Sequence, residues 1–164
     1  GKAHTIGMAN YHGRHFEKLF AAGIEITPHC VQFEHHPMRT TDDIITFCRE
    51  HKIAVQAYSP LCRMIDSIKN SPILKAIAER TEKTIGQVIL RWHYQHQSVP
   101  CFKSVNPKRL AENFDIGDFE LTEEEIRDAI RKAIPDAKII FNTYNLTNIS
   151  NLSFSISHSF YINN

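Results

Sequence analysis

The chain has no CxxC pair among its four cysteines, no surplus of either charge, and no apolar run near the ~18 residues a membrane span needs. Each absence excludes a class. Cys30, Cys48, Cys62 and Cys101 are too scattered for a disulfide framework and read as free thiols in a reducing compartment. A formal net charge of +1 offers nothing to attract nucleic acid. No membrane partner is expected. The ten histidines are dispersed. His12 with His15, His93 with His96, and Cys48 with His51 have helical spacing, but no third and fourth ligand accompanies them, so no metal site is expected. Gly1-Lys2-Ala3-His4 opens straight into a strand-like run with no visible secretory leader, and a soluble, cytoplasmic protein is expected. The last 26 residues, from Ile139 on, lack Lys, Arg, Asp and Glu altogether.

What is present is an ordinary globular composition, 42% hydrophobic and 23% charged, at a length that suits one domain. The pattern alternates between two periods. Short strand-like runs fall at His4–Asn10, Cys30–Phe33, Ile53–Tyr58 and Val99–Lys103. Between them lie helical patterns: His15–Ala22 with Gly23 as its cap, a stripe of Ile44, Ile45, Phe47 and Cys48 opened by Thr41, and the pair Ile73–Glu82 and Thr84–Gln95. Asn106-Pro107 starts another helix, through Phe114, and Thr122 to Glu125 reads as a capping box for a last one, to about Ala133.

Strands separated by helices imply parallel pairing through right-handed crossovers. Four such units make either an open half of a (β/α)8 barrel, which needs eight, or a small doubly wound sheet. Residues 1–138 form this α/β unit. Residues 139–164 are an uncharged Asn/Ser-rich tail, expected to be disordered or loosely packed. Its near-alternation from Leu152 to Ile162 suits an edge strand or an aggregating one, and its sequons at Asn145, Asn148 and Asn151 read as chance. Read-through of AT-rich DNA would give such a composition.

Four motifs, each near a strand end, resemble the aldo-keto reductase family. Ile6-Gly7-Met8-Ala9-Asn10-Tyr11 is similar to the family's IGVSNF, and Val31-Gln32-Phe33-Glu34-His35-His36-Pro37 to NQVEYHP. Ala57-Tyr58-Ser59-Pro60-Leu61 matches AYSPL. Lys103-Ser104-Val105-Asn106-Pro107-Lys108-Arg109-Leu110-Ala111-Glu112-Asn113 matches KSxxxxRxxEN, and Asp118 to Thr122 follows like DFELS. The match ends near Ile130. It implies the C-terminal half of an NADP(H)-dependent barrel that reduces small carbonyl substrates.

By resemblance, Asn10 and Gln32 hydrogen-bond the nicotinamide carboxamide, Tyr58 stacks on the ring, and Ser59 and Leu61 line the pyrophosphate path. Lys103, Ser104, Asn106 and Arg109, with Val105 among them, hold the 2′-phosphate, while Glu112 and Asn113 contact the adenine amine. The chemistry fits these types. A side-chain amide both donates and accepts, and Lys plus Arg plus a hydroxyl at a helix N-terminus suits a phosphate. The Asp, Tyr, Lys and His that the family uses for proton transfer map onto no residue here, so no catalytic residue is named. Three departures stand out: Ala9 for Ser, His35 for Tyr, and Cys62 for a Gly whose backbone freedom serves the cofactor loop. The readings left open are a reductase completed by another segment, a fragment with its chemistry lost, or a non-catalytic NADP-binding or interaction module. A cut barrel would expose two strand edges, which points to self-association.

Overall fold

The computed structural model describes residues 2–39 and 41–126. The expected tail, and most of the helix that begins after Thr122, lie outside them. Four strands, β1 (Gly7–Ala9), β2 (Cys30–Glu34), β3 (Ala54–Tyr58) and β4 (Ser98–Cys101), form one parallel sheet in the order β1-β2-β3-β4. The helices are α1 (Gly13–Ala21), α2 (Asp42–Glu50), α3 (Asp66–Lys69), α4 (Pro72–Thr81), α5 (Ile85–Gln95) and α6 (Pro107–Phe114). A doubly wound sheet reverses its strand order partway, and this one never does. The architecture is that of successive barrel units.

The two faces of the sheet separate by residue parity. Val31, Phe33, Val55 and Ala57 are buried against the helices, and with Phe16, Ile44, Ile45, Cys48 and Ile53 they build the core. Burying a side chain such as Phe16 contributes roughly 2–3 kcal/mol. The opposite face carries Ala9, Gln32, Gln56 and Val99 in one row and Glu34, Tyr58 and Cys101 in the next. That face is only partly covered, with Val99 55% exposed. At its narrow end Gly7 lies so near Cys30 that a Cβ would come within 2.6 Å of the Sγ. A side chain there would have to displace the Cys30 thiol and crowd the Cys30 carbonyl at 3.3 Å.

Local signals set most element ends. Gly23 follows α1 at φ +74° and donates its amide to the Phe20 carbonyl, a left-handed stop that glycine takes without strain. Thr84 and Gln87 cap α5 reciprocally, and the Thr122–Glu125 box is formed in both directions. Thr41 holds the N-cap position of α2, yet its hydroxyl makes no capping bond. The segment after Leu61 contains a 3-10 turn at Cys62–Met64 and the short α3, which the hydrophobic period did not reveal.

Helix α5 is the most deeply buried element, with Gln87 to His93 all inside. Along one face Gln87, Arg91 and Gln95 recur every four residues. They donate to the carbonyls of Asp115, Ile116 and Leu121 at 2.7, 2.9 and 3.0 Å, pinning the segment that follows α6. Lys83 adds ion pairs to Asp115 and Asp118, each 2.8 Å.

On the other side of α5, Trp92 and His93 meet His35, whose ring is fully buried 5.0 Å from Trp92 and 5.4 Å from His93. Burial, with His96 nearby, pushes His35 down to about 4; burial, with His35 nearby, pushes His93 to about 3. Both are neutral in the fold, whereas in the unfolded chain they titrate near ~6.5. The unfolded state therefore binds more protons as pH falls below that value, and stability drops. The expected outcome is full stability above about pH 6.5 and a loss on the order of a few kcal/mol by about pH 4.5. Thermal melts across that range check it, and His35→Phe should flatten the acid limb.

Candidate functional site

The C-terminal ends of β3 and β4 open into a cleft of about 800 Å³. One wall is Ser59, Pro60, Leu61, Arg63 and Met64; the opposite wall is Cys101 to Val105 with Arg109, Glu112 and Asn113 of α6. Thr84, Ile85 and Gly86, at the N-terminus of α5, also line it. The α5 N-terminus thus faces this concavity, and it favours an anion. The volume lies within the ~300–1,000 Å³ of small-molecule sites.

Of the twelve residues singled out by sequence, eight line this cleft: Ser59, Leu61, Lys103, Ser104, Val105, Arg109, Glu112 and Asn113. Among the described residues, the Lys103 and Arg109 side chains make no hydrogen bond or ion pair, so both cations are available. Glu112 is engaged by Lys108 at 3.9 Å. Asn106 serves the helix instead: its Oδ1 accepts from the Arg109 amide at 3.2 Å, and its own amide donates to Ser104 Oγ at 3.2 Å. That turn fixes where Ser104 and Arg109 stand. Val105 is 83% exposed.

Of the other three, Tyr58 and Gln32 lie on the partly covered sheet face and Asn10 follows the end of β1. Tyr58 ends β3, half-buried, and its phenol is raised by burial and then by Glu34 beside it. Gln32 sits in the middle of β2, not at its end. Its Nε2 donates to Gln56 Oε1 at 3.0 Å and approaches Cys101 Sγ at 3.8 Å, so its partners here are side chains. Asn10 follows β1 at φ +57°, exposed, its amide donating to the Gln32 carbonyl at 2.8 Å. Cys101 joins the two groups: it lines the cleft, pairs in register with Tyr58, and accepts from Gln32.

Sequence reasoning missed Arg63. Cys62, Arg63 and Met64 all have positive φ, at 51°, 52° and 49°, and Ser59 has 52°. Non-glycine residues pay roughly 1–2 kcal/mol each for this conformation. The substitution of Cys62 for the family's usual Gly was the signal in the sequence. The turn places Arg63 in the cleft wall, exposed and without an ion-pair partner among the described residues. His35, another of the three departures, is buried in the aromatic cluster and does not line the cleft.

The family model for the aldo/keto reductase family matches residues 1–134. The chain belongs to the aldo/keto reductase family. It is 39% identical over 134 residues to glyoxal reductase of Bacillus subtilis, covering 80% of this chain and 48% of that protein. Among solved structures, an aldo/keto reductase from Brucella melitensis superposes with a TM-score of 0.68 at 38% identity, over 79% of this chain and 48% of that one. The Bombyx mori aldo-keto reductase in complex with NADP superposes with a TM-score of 0.71 at 32% identity, over 79% and 44%. The chain spans about half the length of the curated relatives it matches. Among the described residues no three or more of His, Cys, Asp and Glu gather to hold a metal, and no helix is long and apolar enough to cross a membrane.

Arg63→Gly should relieve backbone strain, offset in part by the entropy glycine adds to the unfolded chain, and raise stability by up to about 1 kcal/mol. Chemical denaturation of the variant checks this; an unchanged or lower midpoint would show that the turn is not strained.

Proposed function

We propose that this chain is the cofactor-binding half of an NADP(H)-dependent reductase of small carbonyl compounds. The observation that carries the reading is the cleft itself. It collects Lys103 and Arg109 beside the Ser104 hydroxyl at the α6 N-terminus, with Arg63 on the facing wall. A 2′-phosphate is a multiply charged anion, and two cations with no carboxylate partner beside a helix N-terminus fit it. Glu112 and Asn113, one turn farther along α6, suit the adenine amine. Ser59, Leu61 and Arg63 suit the diphosphate. Gln32 and Tyr58, on the adjoining sheet face, and Asn10, just past β1, suit the flat carboxamide-bearing ring.

When bound, the nicotinamide supplies hydride to a carbonyl carbon. The residues of this chain bind and orient. None of those mapped here donates the accompanying proton, so turnover requires groups from outside these 164 residues. The partly covered sheet face and the free edges of β1 and β4 in the described sheet suit a second half-barrel, and the isolated chain should self-associate through them. Light scattering should report a species above the 18.9 kDa of one chain; a stable monomer contradicts it.

NADPH fluorescence titration tests the cofactor reading. The chain should bind NADPH in preference to NADH, without consuming it when aldehydes are added. Lys103→Ala and Arg109→Ala should each weaken NADPH by about tenfold or more while leaving NADH nearly unchanged, because each removes a charge-assisted bond worth ~1.5–3 kcal/mol. Equal affinity for the two dinucleotides would refute a 2′-phosphate site.

A further inference from the structure

Pro60 raises a question of backbone satisfaction. It is buried between β3 and the left-handed turn, and its carbonyl needs a donor. The local turn does not supply one: Cys62 donates to Ser59, Met64 to Leu61, and Ile65 to Cys62. The donor comes from a distant helix. His93 Nε2 of α5 lies 3.2 Å from the Pro60 carbonyl oxygen, and its Nδ1 lies 2.9 Å from Ser98 Oγ at the start of β4.

We propose that His93 is a positioning residue for the cofactor cleft, its ring holding the Pro60 carbonyl and thereby fixing the Ser59–Leu61 wall. The proposal rests on the cofactor reading above. Because a carbonyl only accepts, Nε2 carries the hydrogen, and in the neutral ring Nδ1 accepts from the Ser98 hydroxyl, whose single hydrogen it shares with the His93 carbonyl 3.2 Å away. The charged or titratable groups around the ring are His35 and His36 from the end of β2 and His96 from α5 itself, all basic. None stabilises a proton on it, and burial opposes one too.

The wall needs such a tie. Ser59, Cys62, Arg63 and Met64 hold positive φ, and strained backbone persists only where its surroundings over-determine it. The wall is bonded to itself by three short-range backbone bonds, and the Cys62 thiol is bonded to the Met38 backbone; none of these ties it to Lys103–Asn113. His93 supplies that reference, since α5 is anchored in the core and bonded to the segment after α6. Losing the tie frees one wall of the cleft and leaves the other in place.

The test uses the full chain and two probes, NADPH and adenosine 2′-monophosphate. NADPH spans both walls, and adenosine 2′-monophosphate engages only the α6 side. His93→Met keeps the volume without the donor and should weaken NADPH about tenfold, while adenosine 2′-monophosphate changes less than about twofold. His93→Gln, whose amide nitrogen can reach the same carbonyl, should restore most of the NADPH affinity. Ser98→Ala breaks the ring's other bond and should lower the melting temperature with little effect on NADPH. His93→Met binding NADPH like the wild type, losing both probes equally, or matching Ser98→Ala would overturn the proposal. If His93→Met does not fold, His93→Asn replaces it, because its shorter amide can serve Ser98 but not Pro60. A wild-type chain that binds neither probe removes the cofactor reading, and this proposal with it. Binding of both probes without the split removes this proposal alone.

Discussion

Helix α5 is the element on which the described structure depends, because the backbone groups around it have few other partners. Its Gln87, Arg91 and Gln95 satisfy carbonyls of the segment after α6, and its His93 satisfies Pro60. A buried carbonyl without a donor costs about 1–3 kcal/mol, so each bond fixes a piece of irregular chain that has no ladder of its own. Trp92 adds another, donating to the Ile126 carbonyl at 3.1 Å. One helix thus anchors the segments on either side of the cleft.

That arrangement explains how a cleft with charged and strained walls survives at the end of a small sheet. Parallel strands give a stiff floor, but the floor ends at Tyr58 and Cys101. Beyond it, position must come from side chains reaching in. Asn106 does this for the Lys103–Arg109 side by capping α6 and holding Ser104. On the facing side, left-handed backbone at Cys62–Met64 turns Arg63 into the cleft at a local energetic cost. Residues that bear charge and residues that place them are different sets.

Much of the fold was legible because the helices carry their own signals. Gly23, the Thr84–Gln87 pair, Asn106-Pro107 and the Thr122–Glu125 box each act within a few residues. The inward parity of Val31, Phe33, Val55 and Ala57 follows their alternation with Gln32 and Gln56 along the strands. The 3-10 turn and α3 were not legible, since short left-handed and one-turn elements have no period. Neither was Thr41, whose residue type suits a cap it does not make. At the site, the cleft-lining residues between Lys103 and Asn113 stand out in the sequence because they fall in one contiguous motif. Arg63 and His93 do not, since one depends on backbone handedness and the other on a contact 33 residues away.

The sequence alone determined the kinds of element, their order, the parallel pairing and the family. These rest on hydrophobic period, capping chemistry and ordered motifs, all of which act at short range along the chain. Tertiary structure decided the rest. It chose successive barrel units over a doubly wound sheet, joined Ser59–Leu61 to Lys103–Asn113, and gave the Pro60 carbonyl to His93. The reason is that hydrogen-bond satisfaction in irregular backbone is a matter of which distant donor arrives, and that is set only when the helices have packed.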